Sequence, residues 1–217
     1  MQQRKGIIFD FNGTLFWDSE YQETSWDTFL IEKGIELTSE EKRLHIHGRN
    51  GRDSFEYIFQ RSFSDAEILA LVEEKEVLYR GACLRGGMQL APGAIALLDR
   101  LQKDGIPVAI ATASGKTNVD FFIEAFDLLK YFSVEKIIYN DGKIRGKPHP
   151  DLFLQAMKTL SISGREAIVF EDSDAGIIAA ERAGAGHIII VNSTGRSYER
   201  YSHRVITHFE QYMVGEF

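Results

Sequence analysis

Ile7-Ile8-Phe9-Asp10-Phe11-Asn12-Gly13-Thr14-Leu15 is the stretch whose reading decides the fold. Three apolar residues run directly into a carboxylate, an amide and a glycine. A short apolar run bounded by a turn signal reads as a buried strand, and Asp10 falls where that strand stops. In an open α/β sheet, ligands bind in the crevice beyond the carboxyl ends of the strands. An aspartate there is placed as a nucleophile would be. A lone aspartate after a strand is also a common turn former or helix cap, so its meaning rests on what the rest of the chain sets beside it.

Outward from this segment, residues 108–111, 167–170 and 187–191 repeat the pattern of a short apolar run next to Gly, Pro or Asp, and residues 136–139 add a further strand closed by Asn140-Asp141-Gly142. Helical spacing links Val119, Phe122, Ile123 and Phe126, then Leu152, Phe153, Ala156 and Leu160. Ala94, Leu97, Leu98 and Leu101 follow Pro92-Gly93 and stop at Gly105. Alternating strands and helices predict right-handed βαβ units: an α/β, Rossmann-like, doubly wound parallel sheet. Residues 18–87 break the alternation with helical periodicity alone. Helices are expected from Ser19 to Gly34, from Ser39 to near Gly48, over 52–60 and from Ser64 to Arg80, with hinges at Phe16-Trp17 and Gly86-Gly87. The organisation expected is a core of 1–17 and 88–217 interrupted by a four-helix cap at 18–87, placed as a lid.

A chain of 217 residues has room for such a core and insertion. The formal net charge of −7 disfavours nucleic acid and anionic membranes as partners, so any anion site must be local. The single cysteine, Cys83, cannot form an intramolecular disulfide and reads as a packing residue. Only Gly6 to Phe9 separate Arg4-Lys5 from Asp10, too little for a signal peptide, and no later run approaches bilayer length. A monomeric cytoplasmic enzyme acting on a small molecule is the expectation.

Three more segments fall at strand ends. Ala111-Thr112-Ala113-Ser114 supplies hydroxyls and backbone N–H groups suited to a phosphoryl oxygen, or an ordinary cap. Gly146-Lys147-Pro148-His149-Pro150-Asp151 holds a lysine on a proline-stiffened loop, either an ordinary surface lysine or a positive charge set to offset a nucleophile and phosphoryl oxygens. Glu171-Asp172-Ser173-Asp174 gathers carboxylates that repel one another unless a cation neutralises them, or unless Asp174 merely starts a helix. Magnesium, a hard ion held by carboxylates and phosphate oxygens, suits that cluster.

In this order, Asp10, Thr112, Lys147 and Glu171-Asp172 resemble the four motifs of the haloacid dehalogenase superfamily over essentially the whole chain. The insertion resembles the helical C1-type cap of the β-phosphoglucomutase-like branch, and Phe170 to Gly176 followed by Ala179-Ala180 and Ala183-Gly184 resembles that branch's fourth motif. The resemblance implies a Mg²⁺-dependent phosphatase or phosphotransferase working through an aspartyl-phosphate on a small metabolite, with sugar phosphates as the leading class. It implies that Asp10 is nucleophile and metal ligand, that Asn12 lends its backbone carbonyl to the metal, and that Thr112, Ala113 and Ser114 bind the phosphoryl group. Lys147 would steady charge, Asp172 would ligate the metal, and Glu171 would support it directly or through water.

The chain departs from the superfamily's phosphatases at Asn12, where they carry a second aspartate as general acid/base. A positioned acid/base is worth roughly 10²–10⁴ in rate, and an amide transfers no proton. Three readings stand side by side: a substrate with a good leaving group; a proton from a cap residue such as Glu20, His45 or His47; or an inactivating change, natural or engineered. The last makes the chain a phosphate-ligand binding or regulatory protein. Phosphonoacetaldehyde hydrolases lack the second aspartate and use a cap lysine as a Schiff base; Lys33 and Lys42 lie in the cap, but neither has a neighbourhood that marks such an amine, and both read as surface lysines. Dehalogenases lack it too, but would leave Glu171-Asp172 without a role. In the cap, His47-Gly48-Arg49-Asn50-Gly51-Arg52 lies between two helices and either dips toward the site, with Arg49 or Arg52 meeting an anionic or hydroxyl group, or is a solvated turn. Gln22 stands where phosphomutases tend to have a histidine, which weakens the mutase reading. Trp17, Trp26 and Phe29 either line a pocket or simply pack.

Overall fold

The computed structural model describes residues 5–46, 51–141 and 143–212. His47 and Arg49 therefore lie outside the described residues. The chain forms two compact units, one of residues 1–17 and 89–217 and one of residues 18–88.

In chain order, strand β1 (Gly6–Phe9) is followed by helices α1 (Ser19–Glu32), α2 (Ser39–His45), α3 (Gly51–Phe59) and α4 (Asp65–Gly86). The sheet resumes as α5 (Ala94–Lys103), β2 (Val108–Gly115), α6 (Lys116–Ala125), β3 (Ile137–Asn140), α7 (Asp151–Leu160), β4 (Ala167–Glu171), α8 (Asp174–Arg182), β5 (His187–Val191) and β6 (Arg204–Ile206). Strand order is β3-β2-β1-β4-β5-β6, with every pairing parallel. The first strand is thus central. The chain builds outward from β1 through β2 and β3, then crosses back to lay β4, β5 and β6 on its other side, which makes β1/β4 the topological switch point.

All four residues of β1 are buried because both faces of the sheet are covered. Ile8 packs on one face with Leu152, Phe153 and Ala156 of α7 and with Ala179 and Ala180 of α8. Phe9 faces the other way, its ring stacked on Phe170 at 5.0 Å between centroids, with Phe209 at 6.0 Å and Phe132 at 6.4 Å. The short apolar strands read from sequence are present, and β6 is added at the edge. At three residues, two of them exposed, β6 carries no hydrophobic run to find.

In the helical unit, Phe29, Leu30, Ile46, Phe55, Ile58, Phe63 and Ile68 form the core. Helix α2 is capped by Thr38 rather than Ser39, since Glu41 lies three residues beyond Thr38 and closes a reciprocal capping box. The same box, Ser64 with Glu67, starts α4. That helix passes Arg80 and runs to Gly86, stopping where Gly87 adopts the left-handed conformation at φ 72°. Ser19 does not cap α1: Asp18 holds the N-cap position, and its carboxylate accepts from Tyr79 Oη at 2.7 Å and Gln22 Nε2 at 3.1 Å.

The aromatic layer under β1 and β4 sets the core's stability. Phe170 is fully buried against Phe9, Phe209 and Tyr212. Phe170→Ala is expected to destabilise the core by about 3–5 kcal/mol, read from the urea midpoint at unchanged slope. A loss under about 1 kcal/mol would show that the layer repacks around the gap.

Candidate active site

Four chain segments meet beyond the carboxyl ends of β1, β2 and β4. Asp10 continues the register of β1, its N–H donating to the Phe170 carbonyl at 2.9 Å, so its side chain emerges at the switch point. The Lys147 ammonium reaches in from the loop before α7, donating to Asp10 Oδ1 and, at 2.6 Å, to Glu171 Oε1. Both ends are out of water: the Lys147 side chain is 6% exposed and Asp10 5%. The loop holding Lys147 is pinned by Arg145, which grips both oxygens of Asp151 at 2.8 and 3.0 Å, and by Arg182, which donates to the Pro148 carbonyl at 2.9 Å.

Glu171 is wholly buried and its two oxygens are divided. Oε1 takes Lys147, while Oε2 accepts from Ser173 N at 2.7 Å and Ser173 Oγ at 3.0 Å. Ser173 Oγ also accepts from Gly176 N at 3.0 Å, so Ser173, not Asp174, caps α8. The carboxylate fits there because residue 176 has no side chain: a Cβ on Gly176 would lie 1.7 Å from Glu171 Oε1.

Asp172 lies against the glycine turn of the first segment. Thr14 Oγ1 donates to its Oδ1 at 3.3 Å, and a Cβ on Gly13, whose φ is +80°, would come within 2.3 Å of its Oδ2. Carboxylate oxygens of Asp10, Glu171 and Asp172 come within 4.8 Å of one another. Burial raises the Asp10 carboxyl to about 7, with Lys147 opposing the shift and Glu171 adding to it. Asp172 is held well above the usual carboxylate range by burial and by repulsion from Glu171 and Asp10. Burial pulls the Lys147 ammonium down, but Asp10 and Glu171 more than offset this and raise it. Three carboxylates around one ammonium make an oxygen-only, electron-rich donor set short of positive charge, and a hard divalent cation fits it.

Thr112 to Ser114 lie within β2, not at a helix start as the sequence suggested. The register slips between Ala111 and Gly115, and α6 begins only at Lys116. Thr112 Oγ1 accepts from Ser114 N at 3.1 Å, and Ser114 Oγ donates to Asn12 Oδ1 at 2.7 Å. Asn12 is therefore drawn to the hydroxyls of β2, and Ala113 is exposed between them.

Within the helical unit, Glu20 is exposed on α1. Arg52 is committed to Glu56 at 3.1 Å, to Asp65 at 2.5 Å and to the Phe63 carbonyl at 2.7 Å. His45 stacks on Tyr57 at 3.7 Å. Lys33 pairs with Glu74 at 2.5 Å. Lys42 pairs with Glu23 and Asp27; burial lowers its ammonium, yet these two partners raise it overall, the reverse of a Schiff-base amine. Trp26 and Phe29 pack on Phe55 at 5.5 and 5.4 Å. Cys83 is buried, and burial pushes its thiol up to about 12. Sequence reasoning did not single out Lys75, 4% exposed, which donates to Gln22 Oε1 at 2.5 Å and pairs with Glu76 at 3.1 Å. Its signal was a charge within the buried stripe Ile68, Lys75, Tyr79, Ala82 of α4. The roles of Ser173, Thr14 and Gly176 were also missed, because each depends on a neighbour far along the chain or on a turn not yet formed.

Residues 4–184 match the model of the haloacid dehalogenase-like hydrolase family. Hexitol phosphatase A of Escherichia coli is 34% identical over 190 residues, covering 87% of this chain and 83% of that protein. Validoxylamine A 7'-phosphate phosphatase of Streptomyces hygroscopicus subsp. limoneus is 27% identical over 181 residues, covering 83% and 82%. The crystal structure of a family IA, variant 3 HAD hydrolase from Entamoeba histolytica superposes with a TM-score of 0.90 at 35% identity, covering 97% of this chain and 96% of that one. With this sheet, this helical insertion and a lysine bridging two strand-end carboxylates, the chain belongs to the haloacid dehalogenase-like hydrolases.

Proposed function

We propose that this enzyme is a Mg²⁺-dependent phosphatase of small polyol or sugar phosphates, working through an aspartyl-phosphate on Asp10, with the helical unit as its cap. The observation that carries the reading is the Lys147 ammonium bound at once to Asp10 and Glu171, with Asp172 in the same cluster. The names of the two phosphatase relatives support the substrate class.

An Asp10 oxygen attacks phosphorus, the bond to the ester oxygen breaks, and water then cleaves the acyl phosphate to regenerate the carboxylate. Two anions must meet for the first step, and Lys147 lowers that repulsion while keeping an Asp10 oxygen in place. Glu171 holds Lys147, Asp172 and Asp10 would hold the metal, and the Asn12 carbonyl would complete the set. Bound Mg²⁺ supplies charge compensation at the phosphoryl oxygens. The Thr112 hydroxyl and the Ala113 N–H would bind those oxygens, whereas Ser114 is spent on Thr112 and Asn12. Asn12 orients but cannot protonate, so turnover follows leaving-group acidity.

Asn12→Asp places a carboxylate where Ser114 Oγ already donates. Phosphate release from alkyl phosphates should rise at least about tenfold. Equal, brisk turnover in both forms would reveal another proton donor, and no turnover in either on a broad metabolite panel would leave a phosphate-binding protein. Gly176→Ala displaces Glu171 and with it Lys147, so kcat should fall by about 10²-fold while the fold persists by circular dichroism. Asp10 rests near 7 without metal. Below that pH, Mg²⁺ must displace its proton: proton release on Mg²⁺ binding should be seen by calorimetry in buffers of different ionisation enthalpy, and affinity should rise with pH as Asp10 and Asp172 ionise. In the metal-free protein the same raised carboxyl gives stability present below about 4 and lost as pH rises through about 7.

A further inference from the structure

The segment between β5 and β6 is a preformed strap folded onto the β4–α8 turn. Asn192 closes its first bend, its Oδ1 accepting from Gly195 N at 2.8 Å and its Nδ2 donating to the Arg196 carbonyl at 2.9 Å. Tyr198 is 6% exposed, its ring packed with Ile177 of α8 and Ile190 of β5. That anchoring sends the phenol to the Asp172 carbonyl, where the hydroxyl donates at 2.5 Å. The Arg196 guanidinium, 4.5 Å from the centre of the Tyr198 ring, donates to the same carbonyl. Two donors from one strap thus converge on a single backbone oxygen.

That oxygen belongs to the residue whose side chain joins Asp10 and Glu171 in the acidic cluster. The side-chain support of Asp172 within this arrangement is a 3.3 Å bond from Thr14. A second pair on the strap behaves differently: Arg200 and Tyr201 grip the Asp174 carboxylate, Tyr201 Oη at 2.8 Å, and leave the Asp172 carbonyl alone. Arg196 also approaches Asp174, at 3.7 Å.

We infer that Tyr198 and Arg196 are positioning residues for the divalent-cation site: by clamping the Asp172 carbonyl they hold the Asp172 carboxylate toward Asp10. This rests on the metal reading above. Groups that orient a ligand without touching the ion commonly set affinity by about 10–100-fold. The device also joins the strap to the site, so that residues some twenty positions beyond Asp172 bear on metal binding.

The test is Mn²⁺ titration of the full chain at fixed pH, with free Mn²⁺ read by electron paramagnetic resonance and Mg²⁺ as competitor. Tyr198→Phe keeps the ring between Ile177 and Ile190 and removes only the donor; affinity should fall about tenfold with the thermal midpoint held. Arg196→Met should fall in the same direction and serves where Tyr198→Phe fails to fold. Tyr201→Phe, which loses a bond to Asp174, should stay within about twofold of wild type. Wild-type affinity in both Tyr198→Phe and Arg196→Met, or a loss no larger than that of Tyr201→Phe, overturns the inference alone. A wild-type chain that binds no Mn²⁺ overturns it together with the metal assignment.

Discussion

One ammonium organises this molecule's chemistry. Lys147 is drawn out of water between Asp10 and Glu171, and a buried charge is tolerable only when it is paired and hydrogen-bonded. Everything near it serves that condition. Arg145, Arg182 and the turn before α7 bring the lysine in; Ser173 takes the far oxygen of Glu171; Gly176 leaves the space that the Glu171 carboxylate fills. Removing Ser173, or filling the space at Gly176, would leave the Glu171 carboxylate with an incomplete or displaced shell, whereas Arg145 and Arg182 act on the loop that carries the lysine.

The charge balance left after that pairing gives the site its character. Two carboxylates, Asp10 and Asp172, are pushed toward their neutral forms by burial and by their neighbours. In the proposed metal site, protons and a divalent cation would compete for the same oxygens. Asn12 adds no charge to this balance. Its amide accepts from Ser114 and stays neutral.

Much of this was legible before any coordinates. Asp10 and Glu171-Asp172 each follow a short apolar run, and parallel strands deliver such residues to one edge of the sheet. Lys147 stood out because prolines stiffen its loop. Ser64 was legible as the start of α4, whereas Thr38 was passed over for Ser39 although Glu41, three residues beyond Thr38, is what closes the capping box there. The four helices of the insertion followed from their periodicity. Helix α4 passes its expected end at Arg80 and runs on to Gly86, and the left-handed residue that stops it is Gly87. Edge strand β6 had too few apolar residues to announce itself.

Local chemistry, then, decided the elements and which residue types stand at their ends, since hydrophobic period and turn residues act over a few positions. The division of labour among those residues was a tertiary decision. Glu171 and Asp172 are chemically alike and adjacent, yet one is saturated by Lys147 and Ser173 while the other lies against Gly13 and is clamped from Tyr198. Successive residues at a strand end point in different directions, and apart from Ser173 what each meets comes from segments more than twenty positions away in the chain, which no local pattern records.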